Sequence, residues 1–251
     1  MASIGEAHAL YLRGEQEAAA DMYYQLARDA DAAAALCYGY CLWHGIGCAP
    51  SAKEAKSFFV FARELDGGDA CYNLAMLYMH GEGVPTDYKR SIAYMREAAD
   101  KGCVEAQLYL GMVYTTGFVL EPDITAICPI PFHTPQYRRC DRLLYGDAQD
   151  VEREEDARSF VVAADAREAF SYFRMAAYHD PTYVADLVAK GQFLYAKCFV
   201  DGLGTECDRN KAVRLMLAAG KSGSEEAVQF LQETGIPPER LLAMAKNKDR
   251  G

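Results

Sequence analysis

The sequence predicts an all-α solenoid of stacked helical hairpins, and three observations predict it. Gly45, Gly81 and Gly117 stand 36 residues apart, and Gly202 follows after 85, which is one further period plus an interruption of 49. Ahead of each of these glycines the same residue classes recur. An alanine lies eleven positions before it (Ala34, Ala70, Ala106, with Gly191 in the last copy), a small residue six before it (Gly39, Ala75, Gly111, Ala196), and a large one three before it (Leu42, Tyr78, Tyr114, Phe199). After each glycine comes a second stretch of helical apolar spacing. A single hairpin of this length cannot bury its own apolar face, so copies must stack, with small residues allowing close approach and large ones filling the gaps.

The clearest copy runs from Ala70 to Gly102. Ala70, Leu74, Ala75, Leu77 and Tyr78 mark one face of a first helix, which Gly81-Glu82-Gly83 ends because glycine supplies positive φ without strain. Asp87 is an N-cap residue type, and Ile92, Tyr94, Met95, Ala98 and Ala99 carry a second helix to Gly102. The paired turn glycines Gly45 and Gly47, Gly81 and Gly83, Gly202 and Gly204, and the lone Gly117, are therefore structural. They resemble a nucleotide-binding loop only superficially, since they follow a helix rather than a strand.

The run Ala70, Leu74, Ala75, Tyr78, Gly81, Gly83, Val84, Asp87, Tyr94, Ala98, Ala99, Gly102 resembles the signature of the Sel-one-like repeat family, relatives of the tetratricopeptide repeat. The resemblance implies a right-handed α/α superhelical solenoid and a role in assembling protein complexes. The other copies depart from the pattern: Cys48 replaces the valine after the turn, Val119 replaces the second glycine in the third copy, and Ser91 stands where the family has alanine. The resemblance also raises a hydrolase of β-lactamase-like type, known among cysteine-rich members, but their regular cysteine register is missing.

Taken in order, the chain reads as one solenoid over residues 1–251. Residues 6–31 form a shorter capping hairpin turning at Arg13-Gly14-Glu15. Repeats follow at 33–68, 69–102, 103–180 and 181–223. The third is split by an insertion, 121–165, after which Ala169, Tyr172, Phe173, Ala176 and Ala177 restore the pattern. Its proline-bearing half to Cys140 reads as extended, and Gln149 to Ala157 as a solvated helix. A few extra residues lengthen the joint after Asp180-Pro181. Ser224 to Glu233 starts a fifth first helix, and the rest of 224–251 is a cap and tail.

With 251 residues, 51% of them hydrophobic, a large core is available. The opening residues lack a basic segment and an apolar run of signal length, and no apolar stretch reaches about 18 residues, so a cytoplasmic location is expected. A net charge of −10 disfavours nucleic acid and anionic membrane as partners and favours a basic protein or peptide. A second copy of the chain is a further candidate. Nine cysteines keep no common register and read as reduced core residues.

No catalytic set assembles from the sequence, and neither metal nor cofactor is expected. His44 and His80 each precede a turn, where a histidine satisfies helix-end carbonyls. Cys128, His133 and Cys140 are ligand types without a zinc-knuckle spacing. The only tryptophan, Trp43, is expected to pack against the loop between repeats. What remains is a surface. Positions eight, five and one before each turn line a common ridge of first helices, and its candidates for gripping a partner are Tyr40, His44, Asn73, Met76, His80, Tyr109, Met112 and Lys197. Aromatic, methionine and amide side chains suit a peptide groove. The expected function is thus a non-enzymatic scaffold or adaptor, with insertion 121–165 as an alternative docking element or lid.

Overall fold

The computed structural model describes residues 3–65, 67–120, 160–182 and 184–234. They are helical apart from two three-residue strands, and they fall into two compact units. The first holds α1 (Ile4–Leu12), α2 (Gln16–Arg28), α3 (Ala32–His44), α4 (Ala52–Glu64), α5 (Gly68–His80) and α6 (Tyr88–Asp100). The second holds α7 (Val104–Thr116), α8 (Ala166–Ala177), α9 (Ala185–Asp201), α10 (Arg209–Lys221) and α11 (Glu225–Glu233). Consecutive helices pack as hairpins, and each hairpin's second helix also packs on the next first helix within its unit. The all-α hairpin fold expected from the spacing is the fold found.

Each hairpin is built by the same local chemistry. The first glycine of the turn adopts a left-handed conformation, as Gly45 (φ 66°), Gly81 (φ 73°) and Gly202 (φ 70°). The next N–H then closes on a carbonyl inside the helix, Ile46 to Cys41 at 2.9 Å, Glu82 to Leu77 at 3.2 Å and Leu203 to Cys198 at 3.0 Å. This satisfies carbonyls the helix end would otherwise orphan. Ser51, Asp87, Asp165 and Asp208 cap the second helices through their side chains. Their own N–H groups reach back to the first helix, at Leu42, Tyr78, Tyr114 and Phe199, over 2.7 to 3.0 Å. One residue thus starts the second helix and ties it to the first. Asp87→Ala should lose about 1 kcal/mol of stability, read as a lower urea midpoint with an unchanged slope.

The second turn glycine makes the joint between repeats. An added Cβ on Gly47 would sit 2.1 Å from the Gln16 carbonyl oxygen, on Gly83 2.7 Å from the Ala52 backbone, and on Gly204 2.1 Å from the Ala166 carbonyl oxygen. Each contact lands on the first residue of the preceding hairpin's second helix. The turn of one repeat therefore seats against the helix start of the last, and only hydrogen fits there.

Within hairpins, side-chain sizes are matched across twenty residues. A Cβ on Gly39 would lie 2.7 Å from the Phe59 ring, and in the interrupted repeat one on Gly111 would lie 2.5 Å from the ring of Phe173, 62 residues on because the insertion intervenes. Where the small position is alanine, the residue twenty on is methionine: Ala75 and Met95, Ala196 and Met216, all fully buried. Ser91 earns its place where alanine is usual in the family by donating its hydroxyl to the Ala75 carbonyl across the hairpin, at 2.7 Å.

The third repeat shows how the insertion is held at its base. Gly117 keeps a positive φ of 72° but turns its ψ to 162°, sending the chain out as β1 (Phe118–Leu120). β2 (Phe160–Val162) pairs with β1, and three residues later Asp165 resumes the hairpin by donating to the Tyr114 carbonyl at 2.8 Å. The extended and helical segments expected within the insertion, with Cys128, His133 and Cys140, lie outside the described residues. So do the C-terminal cap and tail. α9, at 17 residues, absorbs the lengthened joint before the fourth repeat, and α11 is the expected fifth first helix, capped by Ser224.

Candidate partner-binding surface

In the first unit, the ridge of first helices is organised around Trp43. Its indole is buried against the ring of Phe59, with centroids 6.0 Å apart, and its N–H donates to the carboxylate of Glu82 in the next repeat's turn. Packing against the inter-repeat loop is what the sequence suggested for this residue. His44 stacks on Trp43 at 4.9 Å, and Tyr40, one helical turn earlier, tilts against His44 at 4.2 Å. Tyr40 and His44 are both half-buried. Burial holds the His44 imidazole below its ordinary pKa while the Glu82 carboxylate pulls the other way, and the net effect favours the neutral ring.

The remaining candidates divide by accessibility. Every residue from Ala70 to Tyr78 is buried in α5, so Asn73 and Met76 show only 8% and 7% of their surface. They can serve as a floor rather than as projecting contacts. His80, at the end of the same helix, is exposed. In the second unit Tyr109 is 1% exposed and sits in the core of α7, Met112 is half-buried, and Lys197 is exposed on α9. Of the turn glycines, Gly45, Gly81 and Gly202 cap first helices, Gly47, Gly83 and Gly204 sit at the joints between repeats, and Gly117 leads into β1.

Features the sequence reading missed lie on the second helices. Cations on these helices cover aromatic rings on both helices of the hairpins. Lys56 and Arg90 lie 5.4 and 5.7 Å from the Tyr78 ring, and Arg63 lies 5.4 Å from Tyr94, which stacks on Tyr78 at 5.7 Å. Arg63 also donates from Nε to both oxygens of Glu97, at 2.9 and 3.0 Å, which holds that carboxyl below its usual pKa. In the second unit Tyr114 stacks on Tyr172 at 5.8 Å and Lys211 sits 4.2 Å over Phe199. These pairings join residues from different helices, so no single-segment periodicity announces them.

The seven cysteines among the described residues are free thiols. Burial raises Cys37 and Cys71 to about 11 and Cys41 and Cys198 to about 12. Thiols so suppressed are poor nucleophiles and behave as packing groups, as the irregular spacing suggested. Among the described residues no helix is long and apolar enough to cross a membrane.

The Sel1 repeat model matches residues 30–66, 68–103, 104–126, 136–181 and 189–224, well over half of the sequence. The chain belongs to the Sel1 repeat family. The matches at 30–66, 68–103 and 189–224 coincide with hairpins described above, those at 104–126 and 136–181 hold α7 and α8 of the interrupted one, and Sel1 repeat proteins are generally protein-interaction scaffolds. Among solved structures, a Sel1 repeat protein from Oxalobacter formigenes is 21% identical, with a TM-score of 0.61 over 87% of this chain and 49% of that one. The c5321 protein, a protective antigen present in uropathogenic Escherichia coli strains and displaying an SLR fold, is 18% identical over 89% of this chain and 46% of its own, with a TM-score of 0.41. This Sel1 repeat chain thus spans about half the length of those solved relatives. No curated protein matches it.

Proposed function

We propose that this Sel1 repeat protein is a non-enzymatic, cytoplasmic scaffold that holds a partner segment against the first helices of its first unit. Tyr40, His44 and His80 make the contacts, over a floor formed by Asn73 and Met76. Met112 and Lys197 offer a similar contact in the second unit, and Tyr109 supports that helix from within. One observation supports the reading: the Tyr40 and His44 rings, 4.2 Å apart, stack above Trp43 and its bond to Glu82, and both residues are only half-buried. Rigid aromatic rings contribute contact area at little entropic cost, which makes them effective anchors. A neutral His44 adds no charge that would repel a basic partner.

Because Trp43 is the only tryptophan, its emission reports on this site alone. A partner isolated by affinity capture is expected to shift that emission on titration. The Tyr40→Ser/His80→Ser variant is expected to lose about tenfold in affinity, the scale of a lost aromatic anchor, with an unchanged thermal transition. Unaltered affinity in the variant, with a normal melt, would remove this face from the binding site.

A further inference from the structure

Where α2, α3 and α4 meet in the first unit, three rings form a cluster open to solvent on one side. Tyr24 and Tyr38 lie 5.1 Å apart, Phe58 stands edge-on to Tyr38 at 4.8 Å, and Tyr24 is 6.3 Å from Phe58. Tyr24 is 37% exposed, and Tyr38 and Phe58 are half-buried. None of these three residues is among the ridge candidates.

The molecule supplies its own comparison. Phe58 and Tyr94 occupy the same place one repeat apart. Tyr94 and its stacking partner Tyr78 carry Arg63, Lys56 and Arg90 over their rings, and Phe199 in the second unit carries Lys211. Among the described residues, no lysine or arginine lies over Tyr24, Tyr38 or Phe58; even Arg28, one turn beyond Tyr24, is not placed on the ring. Carboxylates stand nearby instead. Asp21 on α2 and Glu54 on α4 are exposed and lie within electrostatic reach of the Tyr38 phenol and of Cys48, whose proton-bound forms they favour after burial does so. Neither carboxylate has a salt bridge among the described residues.

An aromatic face attracts a cation through its quadrupole, and a carboxylate at the rim adds the charge that fixes the cation over the ring. At Tyr78, Tyr94 and Phe199 the fold meets that demand with its own cations, and at Tyr24, Tyr38 and Phe58 it does not. We propose that the Tyr24, Tyr38 and Phe58 cluster, rimmed by Asp21 and Glu54, is a second docking surface that takes a lysine or arginine side chain from a basic segment of a protein partner. The net charge of −10 brings such a segment in, and the rings give it a place to stop.

The test uses the full chain and a fluorescein-labelled nonapeptide carrying three arginines, against the same peptide with citrulline at those positions, by anisotropy at physiological salt. The wild type is expected to prefer the arginine peptide. Tyr24→Leu, which keeps apolar bulk but removes the ring face, and Asp21→Asn/Glu54→Gln, which removes only charge, are each expected to weaken it roughly fivefold. Neutralising Glu225 and Glu226, exposed on α11, removes the same charge far along the chain and is expected to change little. Equal binding of the citrulline peptide overturns the proposal. So does an equal loss from the α11 variant, which would assign the attraction to net charge alone. Thermal melts of all variants, expected to match the wild type, separate lost docking from lost fold; because Tyr24 and the two carboxylates are exposed, a normal melt with unchanged affinity also overturns it.

Discussion

Gly47→Ala is expected to destabilise the first unit by about 3 kcal/mol or more, while Gly14→Ala, in the turn of the neighbouring hairpin, costs only about 1 to 2 kcal/mol. Both glycines have positive φ, 69° and 84°, so both substitutions carry the same left-handed penalty for an L side chain. The surroundings differ. Nothing lies within 4 Å of a Cβ at Gly14, whereas one at Gly47 would be 2.1 Å from the Gln16 carbonyl oxygen and 2.8 Å from the Glu17 nitrogen. Those are backbone atoms in the first turn of α2 and cannot rotate aside, so the joint between the hairpins must open. Paired urea titrations of the two variants isolate that contact, since the shared backbone penalty cancels. Equal losses would mean that the turn does not seat on α2 as described, and would remove the account of how successive repeats are joined at Gly83 and Gly204 as well.

The contrast between these glycines also shows what a sequence can and cannot say. The 36-residue spacing of Gly45, Gly81 and Gly117 located the turns because a positive φ demands a residue type, and the demand recurs with each hairpin. The small and large positions before each turn were readable for the same reason, since each is a local requirement repeated four times. What touches Gly47 was not readable, because Gln16 and Ala52, though one 36-residue period apart, share no residue type that marks the contact, which is set by how the neighbouring hairpin packs. The ridge was half readable. Helical spacing put Tyr40, His44, Asn73, Met76 and His80 on one side of their helices, but spacing does not say how deeply a neighbour covers that side, and α5 turned out to be buried through nine consecutive residues. Tyr109 met the same fate in α7. The ring cluster of Tyr24, Tyr38 and Phe58 was invisible, since its members come from three helices and share no period. The general lesson is physical: requirements on a residue's own backbone leave a mark in sequence, and requirements set by whichever helix packs alongside mostly do not.

One cross-helix requirement did leave such a mark, and it makes a sharper prediction. Phe59→Ala is expected to cost about 3 to 5 kcal/mol, because it empties a fully buried ring site in the first unit. Phe59→Met should cost about 1 to 2 kcal/mol, a smaller void partly filled by a flexible chain. Gly39→Ala alone should be destabilising too. Its new methyl would lie 2.7 Å from the Phe59 ring, and the overpacking cost of roughly 1 to 3 kcal/mol outweighs the gain in helix propensity of about 1 kcal/mol. Combined, the two changes recreate the alanine and methionine pair found at Ala75 with Met95 and at Ala196 with Met216. The double variant is therefore expected to be more stable than either single one, because the methyl that clashes with a ring fills the space that methionine leaves. A double-mutant cycle in urea measures this directly, and the coupling should be stabilising by about 1 to 2 kcal/mol. Additive losses would show that the two positions do not share one volume, and the matching of sizes across twenty residues would then have no energetic meaning.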